Sequence, residues 1–414
     1  METKRKLELY LHIPFCIRKC SYCDFLSFAA DESLKERYAG QLIEEIHAKS
    51  AAFADREIST LFIGGGTPSI LKAESLAQIM AAVRADFALA ADCEATIEAN
   101  PGTLTADWLE TCRAAGLNRL SLGLQSADDG ELRTLGRIHT WEQFLASYGM
   151  VRRAGFENVN VDLMSALPGQ SLASWERSLR EVTALEPEHI SAYSLIVEEG
   201  TPFCERYSGA GAKLLPDEDT ERAMYRAAKE ILGRAGFERY EISNYAKPGR
   251  ACRHNIGYWT GEEYLGLGLG AASYVDGWRF SNTGDMERYL AAGRAEMCGR
   301  HGEMCGSREE ICGNREGVSG KQDSRTHETA FYENVTRTTE QSRMEEFMFL
   351  GLRMVRGVPE DEFARRFGKT MDEVYGPVLR QMEELGLMEK GGAFWRLTER
   401  GIDVSNGVMA EFLL

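Results

Sequence analysis

The strongest constraint in this sequence is an alternation of two periodicities along its first 240 residues. Short apolar runs rich in branched residues, at 9–13, 60–63, 95–99, 119–124, 158–163 and 190–196, read as strands. The intervals carry helical patterns at 33–48, 74–83, 108–115, 141–154, 172–184 and 220–235. This is the pattern of parallel strands covered by crossover helices. Gly116, Gly155 and Gly236 each follow a helical run, where glycine takes the left-handed cap conformation. An α/β chain folded as a β/α barrel or an open parallel barrel is expected.

Beyond residue 294 the character changes. A seven-residue unit repeats, beginning Glu296-Met297-Cys298-Gly299, Glu303-Met304-Cys305-Gly306 and Glu310-Ile311-Cys312-Gly313. It lies in a polar, glycine-containing stretch that reads as a flexible insertion, its cysteines as replicated linker sequence rather than a metal site. Helical patterning resumes at Met344, and residues 393–397 are strand-like. A small, mainly helical C-terminal domain of winged-helix-like type is expected.

Charge narrows the partners. The 48 Lys and Arg against 64 Asp and Glu leave a net −16, a surface that repels phosphate backbones, so nucleic acid is not an expected partner. Residues 1–6 lead directly into the first strand, with no apolar stretch of signal-peptide or membrane-spanning length, which predicts a cytoplasmic protein without a transmembrane segment. Ten cysteines in such a chain remain reduced and available to metals.

Three of them form a motif. In His12-Ile13-Pro14-Phe15-Cys16-Ile17-Arg18-Lys19-Cys20-Ser21-Tyr22-Cys23, Cys16, Cys20 and Cys23 follow the first strand with spacing C-x3-C-x2-C. A [4Fe-4S] cluster held by three thiolates leaves one iron open to a small molecule, unlike a four-thiolate electron-transfer site. S-adenosylmethionine (SAM) can chelate that iron, and an electron from the cluster can break its sulfonium bond. A zinc site completed by His12 is the competing reading of the spacing alone.

Further candidates fall at the ends of expected strands, where α/β barrels place ligand sites. Gly64-Gly65-Gly66-Thr67-Pro68-Ser69 lets backbone approach a ligand closely, although a tight strand-to-helix turn explains the same letters. Glu98, Gln125 and Asp162 put polar side chains where apolar ones are expected, and ribose hydroxyls or an ammonium group would satisfy them, as would an internal salt bridge for any one of them. Arg137 offers a bidentate clamp for a carboxylate, although a lone arginine there reads by default as a surface charge.

Taken in order, His12-Ile13-Pro14-Phe15, Gly64 to Ser69, Glu98-Ala99-Asn100-Pro101, Gln125-Ser126, Arg137, and Asp162 to Pro168-Gly169-Gln170 resemble the oxygen-independent coproporphyrinogen III oxidase-like radical SAM family. The similarity extends to Cys252-Arg253-His254-Asn255-Ile256-Gly257-Tyr258-Trp259 and to the C-terminal Leu397-Thr398-Glu399-Arg400-Gly401. It implies a partial (β/α)6 barrel followed by a family-specific C-terminal domain, which divides the chain into a barrel at 1–240, a connecting region at 241–293 and a helical C-terminal domain at 342–414, with the low-complexity insertion at 294–341 having no counterpart in the family. It also implies that Tyr10, Gly65, Gly66 and Thr67 contact the SAM methionine moiety, that Glu98, Gln125, Arg137 and Asp162 complete the pocket, and that Ile196 lies near the adenine.

The family has two branches, an oxidase that decarboxylates coproporphyrinogen III and a chaperone that binds haem and passes it to acceptor proteins. The oxidase carries a cysteine two positions after its third cluster cysteine, where this chain has Phe25, and a longer segment ahead of its cluster. His254, Asn255, Tyr258 and Trp259 match the chaperones' haem motif H-N-x-x-Y-W, with imidazole suited to haem iron and aromatic rings suited to the macrocycle. The resemblance therefore implies a haem chaperone with a [4Fe-4S] cluster and SAM, an electron donor to the cluster and a haem-acceptor protein, with the oxidase as the alternative. One departure is Ala272, where chaperones usually have histidine.

Overall fold

The structure, a computed structural model, describes residues 4–298 and 331–414. Strands β1 (Arg5–Ile13), β2 (Arg56–Gly65), β3 (Leu89–Ala99), β4 (Arg119–Gln125), β5 (Val159–Ser165) and β6 (His189–Ser194) pair in sequence order, all parallel. Between them run α1 (Glu32–Ser50), α2 (Ala73–Asp86), α3 (Ala106–Ala114), α4 (Asp129–Leu135), α5 (Trp141–Arg153) and α6 (Leu172–Thr183). Several starts are fixed locally: Asp31 caps α1, Thr105 caps α3, and Thr140 with Gln143 closes a capping box on α5. The fold is thus the expected α/β class with an open parallel sheet.

The two faces of the sheet differ, and that difference makes the site. On β1, Leu7, Leu9, Leu11 and Ile13 are buried in the main core with residues of α1, whereas the alternate positions are Glu8, Tyr10 and His12. On β5, Val159, Val161 and Leu163 belong to the same core and Asn160 and Asp162 alternate with them. Because side chains alternate across a strand, the apolar set packs on the helices and the polar set faces the inside of the curved sheet. Each fully buried Leu, Ile or Val contributes about 1.5–3 kcal/mol against exposure, so this register is firmly held.

After β6 come α7 (Pro202–Tyr207) and α8 (Glu218–Arg234), then β7 (Glu238–Arg239) and β8 (Asn244–Ala246), which extend the sheet antiparallel to β6. Helix α9 (Arg253–Thr260) carries the H-N-x-x-Y-W motif. The chain then returns to the opposite edge, where β9 (Tyr264–Leu267) lies parallel to β1 and β10 (Ala272–Val275), β11 (Trp278–Asn282) and β12 (Tyr332–Arg337) continue antiparallel. The stretch read as insertion therefore ends inside the sheet: Phe331 and Tyr332 are buried in the main core and β12 pairs with β11. Of the repeat cysteines, Cys298 ends a short helix, Arg294–Cys298, and Cys305 and Cys312 lie outside the described residues.

The C-terminal region consists of helices Glu340–Gly351, Glu360–Phe367 and Met371–Glu384, two short helices after residue 398, and a small sheet of β13 (Val358–Pro359), β14 (Met388–Gly391) and β15 (Phe394–Leu397). It has its own core, with Met348, Phe363, Tyr375, Leu379 and Phe412 buried together. Helix Glu340–Gly351 packs against α9. Among the described residues no helix is long and apolar enough to cross a membrane.

Candidate metal and cofactor site

Cys16, Cys20 and Cys23 lie on a loop that leaves β1 and is tied down at several points. Cys16 N donates to Phe28 O at 3.0 Å, Ser21 N to Leu135 O at 3.1 Å and Phe203 N to Ser21 O at 3.0 Å. The thiols are free and half-buried, and all three line one cavity of about 530 Å³ on the polar face of the sheet. That volume lies within the range of small-molecule clefts, about 300–1,000 Å³.

The glycine run after β2 locks against this loop. Gly66 N donates to Ile13 O at 2.8 Å and Thr67 N to Phe15 O at 2.7 Å, while Thr67 Oγ1 donates to Cys16 Sγ at 3.4 Å. Gly65 has φ +111°, and a Cβ there would overlap the His12 ring. At Gly66 a Cβ would meet the Phe15 carbonyl oxygen at 2.5 Å. Close backbone approach, more than turn geometry alone, accounts for these glycines.

The remaining polar candidates converge from successive strands. Gly65 N donates to Glu98 Oε2 at 3.2 Å, and burial with the nearby Asp162 pushes the Glu98 carboxyl up to about 7. Burial also raises Asp162, whose oxygens accept from Asn160 Nδ2 at 2.7 Å and Ser121 Oγ at 3.2 Å. Gln125 accepts from Tyr193 OH at 2.8 Å and has φ +77°, a conformation costly for any residue but glycine, asparagine or aspartate and typical of functional positions. Arg137 donates to Cys20 Sγ at 3.6 Å, to Asn100 Oδ1 at 2.6 Å and to the Gly123 carbonyl. Burial works against its charge, but the Tyr22 hydroxyl and Cys20 thiol beside it hold the guanidinium above its ordinary range.

The cavity lining thus brings together the three cysteines with Gly65, Gly66, Glu98, Gln125, Arg137, Asp162 and Ile196. Tyr10 and Thr67 are outside it. Tyr10 is turned to His12, its OH 2.9 Å from Nδ1, and Thr67 acts on Cys16 and Asn100 instead. His12, the candidate fourth zinc ligand, has both ring nitrogens engaged, the second with Leu26 O at 2.9 Å. Among the described residues no three His, Cys, Asp or Glu side chains converge on one point, as a single zinc ion requires. Three thiols lining one cavity are the ligand set a [4Fe-4S] cluster would take, each cysteine on a different iron.

Sequence reasoning missed Asn100, Ser121, Ser191, Tyr193 and Asn244, which line the same cavity. Asn100 stood in the motif Glu98-Ala99-Asn100-Pro101 and could have been picked out as the residue bridging Thr67 and Arg137. Phe25 lies at the cavity mouth, 63% exposed.

The H-N-x-x-Y-W motif is divided by α9. Glu94 caps the start of the helix, accepting from Arg253 N at 2.8 Å. Asn255 lines the cofactor cavity and Trp259 a second cleft on the other side. His254 lies between the two, 1% exposed, with Nδ1 2.7 Å from Thr60 Oγ1, Nε2 3.0 Å from Tyr258 OH and its ring stacked on Phe62 at 5.2 Å. Burial pushes it down to about 3, so the imidazole is neutral. With both nitrogens committed, His254 does not present a lone pair to a haem iron in this structure. Ala272 is exposed on β10, outside either lining.

Comparison with known proteins agrees with this architecture. Residues 10–182 match the radical SAM superfamily and residues 338–404 the HemN C-terminal domain. The heme chaperone HemW of Bacillus subtilis is 34% identical over 405 residues, 98% of each chain. HemW of Escherichia coli is 33% identical over 411 residues, again 98% of each. The bovine radical S-adenosyl methionine domain-containing protein 1, mitochondrial, is 37% identical over 64% of this chain and 60% of its own. Among solved structures, coproporphyrinogen III oxidase HemN from Escherichia coli superposes with TM-score 0.79 at 21% identity, over 99% of this chain and 90% of that one, a likeness of fold.

Proposed function

We propose, since this chain belongs to the HemW family of radical SAM proteins, that it is a haem chaperone that binds haem and passes it to an acceptor protein. The observation that carries this reading is the identity of 33–34% with heme chaperones along essentially the whole chain, C-terminal region included. Phe25 in place of the oxidase's additional cysteine supports the same branch.

In this reading Cys16, Cys20 and Cys23 hold the [4Fe-4S] cluster, and Gly65, Gly66, Glu98, Gln125, Arg137, Asp162 and Ile196 hold SAM beside it. Cluster and SAM together supply one-electron reductive chemistry. The chain's own residues set the conditions for it. Arg137 places a buried positive charge next to the Cys20 sulfur and donates to it at 3.6 Å. Glu98 and Asp162 give the cavity floor acceptors for an ammonium or ribose hydroxyl. Asn255 brings α9 to the same cavity, so one helix touches both the cofactor side and the cleft of Trp259. The acceptor protein and the electron donor are partners this function requires.

The test is haem titration of the anaerobically reconstituted protein by absorption spectroscopy, followed by incubation with coproporphyrinogen III, SAM and a reductant. Saturable haem binding without decarboxylation is expected. Cys20→Ala is expected to lose the cluster absorption and keep haem binding. Decarboxylated product with no haem binding would make the chain an oxidase.

A further inference from the structure

On the far side of α9 from the cysteines, a cleft of about 400 Å³ opens between the start of β1 and β2, α9 and the C-terminal region. Its wall is apolar and aromatic, with Ile256, Trp259, Phe347 and Met354, and Arg353 stacks 4.3 Å from the Trp259 ring. Four cations line it, Lys6, Arg253, Arg356 and Arg366, on a chain whose net charge is −16. Glu262 and Glu362 also line it; Glu362 is paired with Arg366, and Arg253 with Asp92. The side chains of Lys6 and Arg356 make no hydrogen bond or ion pair among the described residues.

Two buried polar atoms at this cleft also lack partners. Glu8 is 3% exposed, and its Oε2 has no hydrogen-bond partner; Trp259 Nε1 has none either. Burial, then the nearby Glu262, pushes the Glu8 carboxyl up to about 9, which makes it a neutral donor at neutral pH rather than a charge that would repel an anionic ligand. Buried polar groups without partners are uncommon in native folds and mark places completed by a ligand or water. An apolar aromatic wall with unpaired cations at its rim suits a flat, largely apolar molecule with carboxylates on one edge.

We propose that this cleft holds the haem, with Trp259, Phe347 and Met354 against the macrocycle and Lys6 and Arg356 on its propionates. The proposal rests on the haem-chaperone reading and locates the ligand within it. Among the described residues no histidine lines the cleft, and Met354 is the one that brings a thioether to its wall. His254 lies one layer behind: Thr60, which lines the cleft, bonds its Nδ1, and Glu8 Oε2 is 3.7 Å from the same nitrogen. In this geometry His254 is a positioning residue that seats α9, not the iron's ligand.

Haem titration of the anaerobically reconstituted full chain tests it, comparing wild type with Lys6→Glu/Arg356→Glu and with a control of equal charge change, Lys213→Glu/Arg234→Glu. The first double variant is expected to weaken haem affinity about tenfold or more, each ten-fold corresponding to 1.4 kcal/mol, with cluster absorption unchanged and the control variant like wild type. Met354→Leu is expected to shift the haem absorption band, and His254→Ala to lower affinity while leaving the band of the bound fraction in place. If wild type binds haem saturably and Lys6→Glu/Arg356→Glu binds equally well, the cleft is wrong and the chaperone reading stands. If His254→Ala shifts the band and Met354→Leu does not, the iron belongs to His254. If wild type binds no haem, the chaperone reading falls and the cleft assignment with it.

Discussion

At the scale of single residues the cofactor cavity is built as much by missing side chains as by present ones. Gly65 stands at φ +111° with His12 against the place a Cβ would take, and its backbone N–H holds the Glu98 carboxyl. Gly65→Ala therefore costs twice, once in backbone strain and once in displacing His12 from its bonds to Tyr10 and Leu26. A loss of about 1–3 kcal/mol in urea unfolding is expected, typical of a residue forced into a sparsely populated region. SAM binding, followed by calorimetric titration, is expected to fall more steeply than stability. Unchanged SAM affinity in a folded Gly65→Ala protein would remove the glycine run from the site. Gln125 shows the opposite arrangement: a strained non-glycine residue is kept at φ +77°, where its amide meets Tyr193.

At the scale of elements, α9 is the piece on which the two cavities depend. A Cβ at Gly257 would collide with the Glu8 carboxyl, so the helix seats on β1 only with glycine there. Gly257→Ala is expected to cost about 1–3 kcal/mol by overpacking, concentrated locally, and faster amide hydrogen exchange in residues 253–260 than elsewhere is the reading that checks it. Exchange that rises equally across β1 to β6 would mean the helix is not separately seated. The same element shows where the sequence was legible and where it stopped. Strands β1 to β6 could be read because Leu9, Leu11 and Ile13, or Val159, Val161 and Leu163, repeat with period two. The cysteine spacing could be read by itself, whereas Gly65, Glu98 and Arg137 each had an ordinary structural explanation and became legible only as an ordered set at successive strand ends. That His254 faces inward and Trp259 outward could not, since an eight-residue helix packed on both sides has no periodicity that tells one cavity from the other. Strands β9 to β12 were hidden similarly: glycine-rich and short, they are held by pairing with β1 and with each other, a long-range effect that local propensity does not carry.

At the scale of the whole molecule, a polar face enclosed by helices makes stability depend on pH from both sides. His12, His139, His189 and His254 are all held below their ordinary 6.5 by burial, His139 and His254 to about 3. They are neutral when folded and protonate when unfolded, so their contribution is complete above pH 6.5 and is lost as pH falls below it, by up to about 1.4 kcal/mol per pH unit for each histidine. Glu8 and Glu98 work in the other direction. Raised by burial from 4.5 to about 9 and about 7, they stay protonated when folded, so their contribution is complete below pH 4.5 and is lost as pH rises through those values. Asp162 and Glu241, raised by burial as well, oppose the histidines on the acid side; the histidines make stability fall below pH 6.5, and Glu8 makes it fall above pH 7. The chain without cofactors is expected to be most stable near neutrality, as measured by urea unfolding at pH 5, 7 and 9. Glu8→Gln, neutral throughout, is expected to flatten the limb between pH 7 and 9 while leaving the acid limb unchanged. A limb between pH 7 and 8 as steep in that variant as in wild type would mean that Glu8 is ionised in the folded chain, and the neutral carboxyl at the base of the cleft would have to be abandoned.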